Sequence, residues 1–546
     1  MLIVLARVDA RVMAVRLSDT GGSLGVEYVD DLVAYVAKHE PSHPRWIWDD
    51  TTRWYPELLT AGLRVERCFD LRLCHAILRA SALTASSELA TAPPGVWDAP
   101  AAALATPQPD GLFELDEPLS PEPDPLSEFS LQRAAVAGCA EPARLGRLIA
   151  AESAGALVAA EMRFAGLPWR ADAHDRILTG ILGPRPAVEG ARPTKMQETL
   201  DQVRVSLEAP DLNPDSPADL LKALGNVGLM VTSTRSWELK QLKHPAIAPL
   251  LEYKKLSRLL SANGWHWLDT WVVDGRFRPD YVPGGVVTGR WATSGGGALQ
   301  LPRQIRGAVV ADDGWKLVVA DASQLEPRIL AAMAADRGMV EAGAAGDLYA
   351  GIVASGAVET RDQAKVAMLG AMYGATTGES GRLMPRLARA YPKAIGLVED
   401  AARAGERGEI VTTRLGRSSP PGRGFALDEG ASAAEASRVR DRSRAWGRFT
   451  RNFVVQGSAA EWALCWMASI RRRMTVLGGD AWLTDAPHLV FFLHDEVVVH
   501  TPAEFADRVA SEITAAAAEA GRLLFGDLPV TFPLTVAIVD DYGQAK

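Results

Sequence analysis

Hydrophobic residues open the chain in short bursts. Residues 2–6, 12–17 and 46–48 read as strands, while residues 32–38 and 55–61 carry helical spacing. That alternation predicts a small α/β domain over residues 1–90. Residues 91–128 break the pattern with Ala, Pro and acid (Ala92-Pro-Pro-Gly95, Pro107-Gln-Pro-Asp110, Pro121-Glu-Pro-Asp-Pro125). They are expected to form a linker with little capacity to bury a core. Apolar positions return with a helical period over residues 145–163. Ser216 then stands as a helix N-cap with Pro217 at the first helical position. Residues 250–261 predict an amphipathic helix with a basic face. The remainder reads as helix-rich with a few strands and no internal repeat. Two of those strands end in acid: residues 316–320 lead into Asp321, and residues 489–493 lead into His494-Asp495-Glu496.

A chain of 546 residues holds more than one domain, and its 48% hydrophobic and 23% charged content is that of a soluble globular protein. No apolar run approaches the ~20 residues needed to cross a bilayer. Residues 1–7 lack a basic leader and read as an opening strand, so neither a signal peptide nor a membrane partner is expected. Cys68, Cys74, Cys139 and Cys465 show no paired spacing, which argues against a zinc site or a disulfide framework and fits a reducing cytoplasm. A net charge of −9 speaks against a whole-surface nucleic-acid binder. Local charge decides more: arginine outnumbers acid over residues 382–451, while residues 101–125 are acidic.

The two acid-tipped strands change the picture. Side by side they would bring Asp321 and Asp495 close enough to share divalent cations, the arrangement two-metal phosphoryl transfer requires. Mg²⁺ takes hard oxygen ligands; Asp321 and Asp495 would bridge two ions, the Ala322 carbonyl would add an oxygen and Glu496 a peripheral ligand. Alone, His-Asp-Glu is equally well the turn of an ordinary hairpin. Between the strands, Arg361, Lys365, Leu369 and Tyr373 recur every four residues, within about 120° of a helix circumference. Cations on such a stripe can meet a triphosphate, although a solvated basic face explains the stripe as simply. Arg440, Arg444, Arg448, Asn452 and Gln456 repeat the spacing, and the last three fall within about 80°. Guanidinium and amide groups on one face suit the sequence-independent acceptors of a duplex minor groove.

Taken in order, these blocks resemble motifs A, B and C of the family A DNA polymerases, the bacterial polymerase I group. Val319-Ala-Asp321-Ala-Ser-Gln-Leu-Glu326-Pro-Arg328, Arg361-x-x-x-Lys365-x-x-x-Leu369-x-x-x-Tyr373-Gly374 and His494-Asp495-Glu496 carry the match. Thr288-Gly-Arg290 with Leu299-Gln-Leu-Pro302 and Ile305-Arg306 looks like the family's primer-end segment. Gln456-Gly-Ser-Ala-Ala-Glu461 looks like Gln-Gly-Thr-Ala-Ala-Asp. Asn213-Pro-Asp-Ser-Pro217 and Leu251-Glu-Tyr-Lys-Lys-Leu256 are similar to thumb segments, and Gly408-Glu-Ile-Val-Thr-Thr-Arg-Leu-Gly-Arg417 to a fingers segment.

The resemblance covers residues 150–546 and implies an α/β and α+β multidomain chain. A ribonuclease-H-like, exonuclease-type domain (1–90, with 91–143 as linker and domain end) would precede a right-hand polymerase (144–546). Within the latter it implies thumb at about 160–280, palm at about 281–335 and 445–546, and fingers at about 336–444. It further implies that Asp321, Asp495, Arg361 and Lys365 catalyse, with metal held at Asp321, Ala322, Asp495 and Glu496. Gln324, Glu326, Leu369 and Tyr373 would bind the nucleotide. Arg290, Gln300, Arg448, Asn452, Gln456 and His494 would contact DNA. Expected cofactors are two Mg²⁺ ions, with Mn²⁺ as a substitute; expected partners are primer–template DNA and deoxynucleoside triphosphates. The enzyme would work as a monomer in the cytoplasm, associated with the nucleoid.

Departures from the family pattern sharpen the expectations. Ala322 replaces the usual aromatic residue, Pro327 a Leu, Tyr349 a His, Asp362 an Arg, and Leu369 the aromatic ring that faces the nucleotide sugar. The Leu-Gln-Leu-Pro block is one residue short and lacks its Asn. Glu326 keeps its place as steric gate, but with Leu369 beside it discrimination against ribonucleotides is expected to weaken. Arg67-Cys-Phe-Asp70-Leu-Arg-Leu-Cys-His-Ala-Ile-Leu78 resembles part of the family's 3′–5′ exonuclease domain. Residues 1–30 hold no Asp-x-Glu, Asp9 being the nearest candidate, and no Tyr-x-x-x-Asp occurs around residues 137–141. A vestigial exonuclease follows, and no 5′-nuclease domain is expected. The alternatives are a polymerase with active proofreading and a catalytically weak DNA-binding relative.

Overall fold

Seven-residue strands dominate the start of the chain because it is rich there in Val, Leu and Ile, which suit extended backbone. In this computed structural model, β1 (Leu2–Val8), β2 (Arg11–Leu17) and β3 (Ser23–Val29) form an antiparallel meander. Two further strands, β4 (Arg45–Trp48) and β5 (Arg67–Asp70), extend it in parallel, giving the order β3-β2-β1-β4-β5. Helices α1 (Leu32–His39) and α2 (Thr51–Thr60) connect β3 to β4 and β4 to β5, and α3 (Leu71–Ala80) follows β5, each started by an Asp N-cap: Asp31, Asp50 and Asp70. The structure describes all residues except 9–10, 100–123, 189, 376–377, 425–431 and 546. Asp9 therefore lies outside the described residues, as does most of the expected linker.

That linker ends earlier than the composition suggests. α4 (Pro125–Ala137) begins at a Pro in its first turn, capped by Asp124, and buries Phe129, Glu128 and Gln132. Gln132 Nε2 donates to the Leu71 carbonyl at 2.8 Å and His75 Nδ1 pairs with Glu128 at 2.8 Å, so the helix belongs to the α/β core. α5 (Pro142–Ala165) follows.

The chain folds as two compact units: residues 1–165, 280–294 and 318–538 form one, and residues 166–279, 295–317 and 539–546 the other. In the second unit, α6 (Ala171–Leu182), α7 (Thr194–Ser206), α8 (Pro217–Asn226) and α9 (Ile247–Asn263) are the main helices. Ser216 caps α8 as expected, accepting from the Asp219 amide at 3.3 Å. Its core gathers Leu220, Leu224, Leu239, Ile247 and Leu250.

In the first unit the α/β region does not stand apart. Glu161 of α5 is buried and accepts hydrogen bonds from Arg64, Tyr55 and Arg471, the last at 2.7 Å. Burial pushes its carboxyl up, but the Arg471 and Arg64 charges hold it down to about 2. This cluster binds residues 1–165 to the C-terminal half of the same unit.

That half contains β6 (Trp315–Ala322), α10 (Leu325–Ala334), α11 (Leu348–Ala354), α12 (Arg361–Tyr373), α13 (Pro392–Glu406) and the 46-residue α14 (Ala433–Gly478). β7 (His488–Leu493), β8 (Glu496–Pro502), α15 (Ala506–Phe525) and β9 (Leu534–Val539) complete it. The sheet order is β7-β8-β6-β9. Pro327 sits in the first turn of α10, where a missing amide disturbs no helical bond. Among the described residues no helix is long and apolar enough to cross a membrane, and all four cysteines are free.

Candidate active site

The two acid-tipped strands are neighbours. β6 lies beside β8, and the Ala322 amide donates to the Asp495 carbonyl at 2.9 Å. Asp321 and Asp495 are thus brought together at one end of the sheet, both half-buried. His494 and Asp495 form the two-residue turn of the β7–β8 hairpin, with Leu493 paired to Glu496 and His494 at φ 60. Positive φ suits the twist of so short a turn. β7 is buried throughout and clamped by Tyr281, whose hydroxyl donates to the Phe492 carbonyl and accepts from the Phe492 amide at 2.9 Å.

Glu496, the expected peripheral ligand, lies at the start of the strand after the turn. It opens β8 and is 2% exposed, because successive strand residues point to opposite faces. Among the described residues no three His, Cys, Asp or Glu side chains gather as a metal site. Asp321, Asp495 and the Ala322 carbonyl remain the hard oxygen donors that fit Mg²⁺.

Motif A joins motif B through two hydrogen-bonded chains. In the first, Gln324 takes left-handed backbone (φ 56) ahead of α10. Its amide donates to Asp347 at 2.7 Å and accepts from the Leu348 amide at 2.9 Å. Asp347 caps α11 and pairs with Arg361 at 2.8 Å. Burial acts to raise the Asp347 pKa, but the Arg361 and Gln324 bonds outweigh it and hold it at about 2. Arg361 also lies over the Tyr349 ring at 5.5 Å, so the residue that replaces the family His supports the cation. Burial and the Glu326 charge push the Tyr349 phenol up to about 12.

In the second chain, Glu326 of α10 is held by Arg290 and accepts from the Tyr373 hydroxyl at 2.8 Å. Asn452 of α14 faces the Tyr373 hydroxyl and acts to lower its pKa. Burial first, then the Glu326 charge, raises the Tyr373 pKa. Partial burial and the nearby Arg290 charge lower that of His494. One cluster thus holds Arg290, Glu326, Tyr373, Asn452 and His494. Lys365 is exposed one turn beyond Arg361, Leu369 is half-buried, Arg448 is exposed and Gln456 half-buried. Gln300 is exposed in the second compact unit and is not part of this cluster.

α12 itself is fixed at both ends. Thr360 caps its start, accepting from the Gln363 amide at 3.2 Å. Gly374 closes it at φ 75, where an added Cβ would meet Arg448 Cγ at 2.8 Å, so only glycine lets α14 approach. Arg451, buried, donates to the Ala371 carbonyl at 2.8 Å and pairs with Glu399. Sequence reading passed over Arg451 because it lies off the Arg448–Asn452 stripe, and over Asp347 and Tyr281 because their partners are distant in sequence.

Residues 191–543, well over half the chain, match the profile of DNA polymerase family A. The chain is 27% identical over 362 residues to the thermostable DNA polymerase I of Thermus thermophilus, covering 60% of this chain and 40% of that one. To DNA polymerase I of Chloroflexus aurantiacus it is 28% identical over 322 residues, 53% of this chain and 32% of that one. It thus matches less than half the length of these relatives. Its fold is similar to the polymerase domain of Pol1 from M. smegmatis, solved with DNA primer-template and dNTP. That similarity has a TM-score of 0.66 at 18% identity and covers all of this chain and 95% of that one. On the profile match, and with motifs A, B and C joined in one cluster, the chain belongs to DNA polymerase family A.

Proposed function

We propose that the chain is a template-directed DNA polymerase that adds deoxynucleotides to a primer 3′-hydroxyl. One observation carries the reading: Ala322 and Asp495 are hydrogen-bonded, so the acid-tipped strands converge, while Gln324 and Glu326 tie the same motif to the α12 stripe. Asp321, Asp495 and the Ala322 carbonyl would hold two Mg²⁺ ions, with Mn²⁺ as a substitute. When bound, such ions activate the hydroxyl and stabilise the triphosphate. Arg361 and Lys365 steady the phosphates as charge builds on them. Glu326 crowds a 2′-hydroxyl. Tyr373 closes the site beside the template base, and Arg290, Arg448, Asn452, Gln456 and His494 bind the primer–template end; Gln300, in the other unit, is a separate DNA-contact candidate. In this reading the residues at about 160–280 act as thumb, the β6–β9 sheet belongs to the palm, and α12 to the fingers. The protein acts as a cytoplasmic, nucleoid-associated monomer.

The N-terminal sheet is, in the same reading, an exonuclease-type, ribonuclease-H-like domain that has lost proofreading. Its mixed order, three antiparallel strands extended by two parallel ones, supports the likeness. Loss of function is supported by β1, which carries no carboxylate, and by Asp70, which is 2% exposed and spent on bonds from Thr51 and Leu73. A polymerase without proofreading suits repair or gap filling. Primer extension on a recessed duplex with Mg²⁺ tests the reading, beside an Asp321→Ala/Asp495→Ala control. Extension by the natural chain alone is expected; bound DNA without extension would sink it.

A further inference from the structure

A cavity of about 660 Å³ opens where α5, α14 and α15 meet residues 64–67. That size lies within the ~300–1,000 Å³ of small-ligand sites. All of its lining belongs to the first compact unit. Much of that lining is short or apolar: Ala151 and Ala154 of α5, Cys465 and Ala468 of α14, and Leu523 of α15. Side chains this small fill little of the space between the elements that carry them, so the void follows from the sequence. Bonds outside the void hold its walls. Arg471 of α14 donates to the Glu66 carbonyl at 2.7 Å, and Glu519 of α15 accepts from Ser469 and Arg472 of α14, both at 2.7 Å. The Glu161–Arg471 pair ties α5 to the same helix. The cavity is therefore built before any ligand arrives.

Most charged groups on these walls are already engaged. Arg64 and Arg471 are spent on Glu161, Arg472 on Glu519, and Glu66 on His43 at 2.6 Å. Glu40 accepts from Trp46 Nε1 at 2.6 Å and from the Glu66 amide at 2.7 Å, and Arg67 donates to the His43 carbonyl at 2.7 Å. Arg147 of α5 differs: it is exposed and makes no ion pair among the described residues. It also lines a second cavity, of about 420 Å³, with Arg144, Arg414 and Glu141. Arg144 donates to the Thr413 and Arg414 carbonyls as well as to Glu141, and Arg414 donates to the Leu524 carbonyl. Three guanidinium groups thus stand against one carboxylate beside an apolar cavity. Burial, then the Glu461 charge, pushes the Cys465 thiol up to about 12, and Arg147 is the cation that opposes the shift.

We propose that this junction binds an amphipathic anion, its apolar body seated in the larger cavity against Ala154 and Ala468 and its sulfonate- or phosphate-like head at Arg147. Apolar walls favour the body in proportion to the area taken from water. The guanidinium fork suits the several oxygens of such a head and fixes which end faces out. The site is separate from the Arg290–Glu326–Tyr373 cluster and does not depend on the polymerase reading. It shares one element with it: α14 carries Cys465 and Ala468 on the cavity wall, and Asn452 and Gln456 nearer its start.

Fluorescence titration of the full chain tests this with anilinonaphthalene sulfonate, an aromatic body with one fixed anion, beside phenylnaphthylamine, the same rings without the charge. Arg147→Gln should weaken the sulfonate roughly tenfold, the scale of one charge-assisted hydrogen bond, and leave the neutral dye unchanged. Arg337→Gln, which removes an exposed arginine outside both cavities, should change neither. Ala468→Leu, which fills part of the larger cavity, should weaken both dyes. Naphthyl phosphate should displace the sulfonate, and inorganic phosphate at the same concentration should not. Undiminished sulfonate binding in both Arg147→Gln and Ala468→Leu overturns the proposal, as does an equal loss in Arg147→Gln and Arg337→Gln. Displacement by inorganic phosphate would overturn the amphipathic class. Primer extension by Arg147→Gln should match that of the natural chain, so the dye titrations and the polymerase reading fail or stand separately.

Discussion

The Tyr373 hydroxyl donates to the Glu326 carboxylate at 2.8 Å, while Arg290 holds the same carboxylate from the other side. Glu326, proposed to crowd the 2′-hydroxyl, is therefore locked in place, and what varies is the surface beside it. Leu369, one turn before Tyr373, offers a branched aliphatic chain where a flat ring would close the pocket. Leu369→Phe should raise the preference for deoxy- over ribonucleotides by about tenfold or more, the scale of a hydrophobic pocket change. Competitive incorporation assays measure it; an unchanged ratio removes the idea.

Arg361 and Asp347 form a half-exposed pair, whose direct contribution to stability is small because solvent screens it. Its value is orientation. Asp347→Ala should shift thermal unfolding very little yet raise KM for the incoming deoxynucleotide severalfold, with kcat nearly kept. Because Asp347 is held at about 2, its stabilising charge is fully present above the ordinary carboxylate range. It is lost only as pH falls toward 2, so KM should show no Asp347 step near neutrality.

Glu461 is buried and accepts from Thr413 and, at 2.7 Å, from the Leu415 amide. Burial pushes its carboxyl up to about 7. The native state then keeps a proton that the unfolded chain releases above its ordinary value near 4.5, so stability falls as pH rises from there to 7. Glu461→Gln keeps the acceptor without the charge. It should stabilise the protein above pH 7, with the gain vanishing below pH ~4.5; melting curves across that range decide it, and a pH-independent difference would count against burial as the cause.

Removing Glu161 strands Arg471, which is 9% exposed. Glu161→Ala should destabilise by about 3–5 kcal/mol, as expected when a buried charge loses its partner. Arg64→Ala, at the wetter edge of the cluster, should do less. Denaturant midpoints for both variants provide the comparison, and equal losses would contradict it.

Burial and the neighbouring Asp50 charge raise the Asp70 carboxyl to about 7, which suits a structural hydrogen-bonding role better than a metal ligand. The natural chain should leave a primer intact when nucleotides are withheld, and Asp70→Asn should change stability without changing that result. Primer shortening that disappears in Asp70→Asn would restore the exonuclease.

Much of this molecule was legible from its residues. The strands at residues 2–6, 12–17 and 46–48, the cap at Ser216, and the stripes on α12 and α14 follow from local periodicity and capping chemistry, which depend on near neighbours. The motif order was legible for the same reason: each block is a short run whose residue types carry their own chemistry. Composition misled at residues 125–128, where a Pro and acids suggested linker. Pro125 instead starts a helix, and Glu128 is buried against His75, some fifty positions away.

What sequence alone determined is which side chains can do chemistry: Asp321 and Asp495, Arg361 and Lys365, Glu326. What only tertiary structure decided is how they are held. Strand pairing set the Ala322–Asp495 bond and, through the two-residue alternation of β8, turned Glu496 into the interior. Long-range partners made Asp347 the anchor of Arg361, Arg451 the cap of α12 and Tyr281 the clamp on β7. These depend on contacts between residues far apart in the chain, where burial and a single hydrogen-bond partner outweigh local preference.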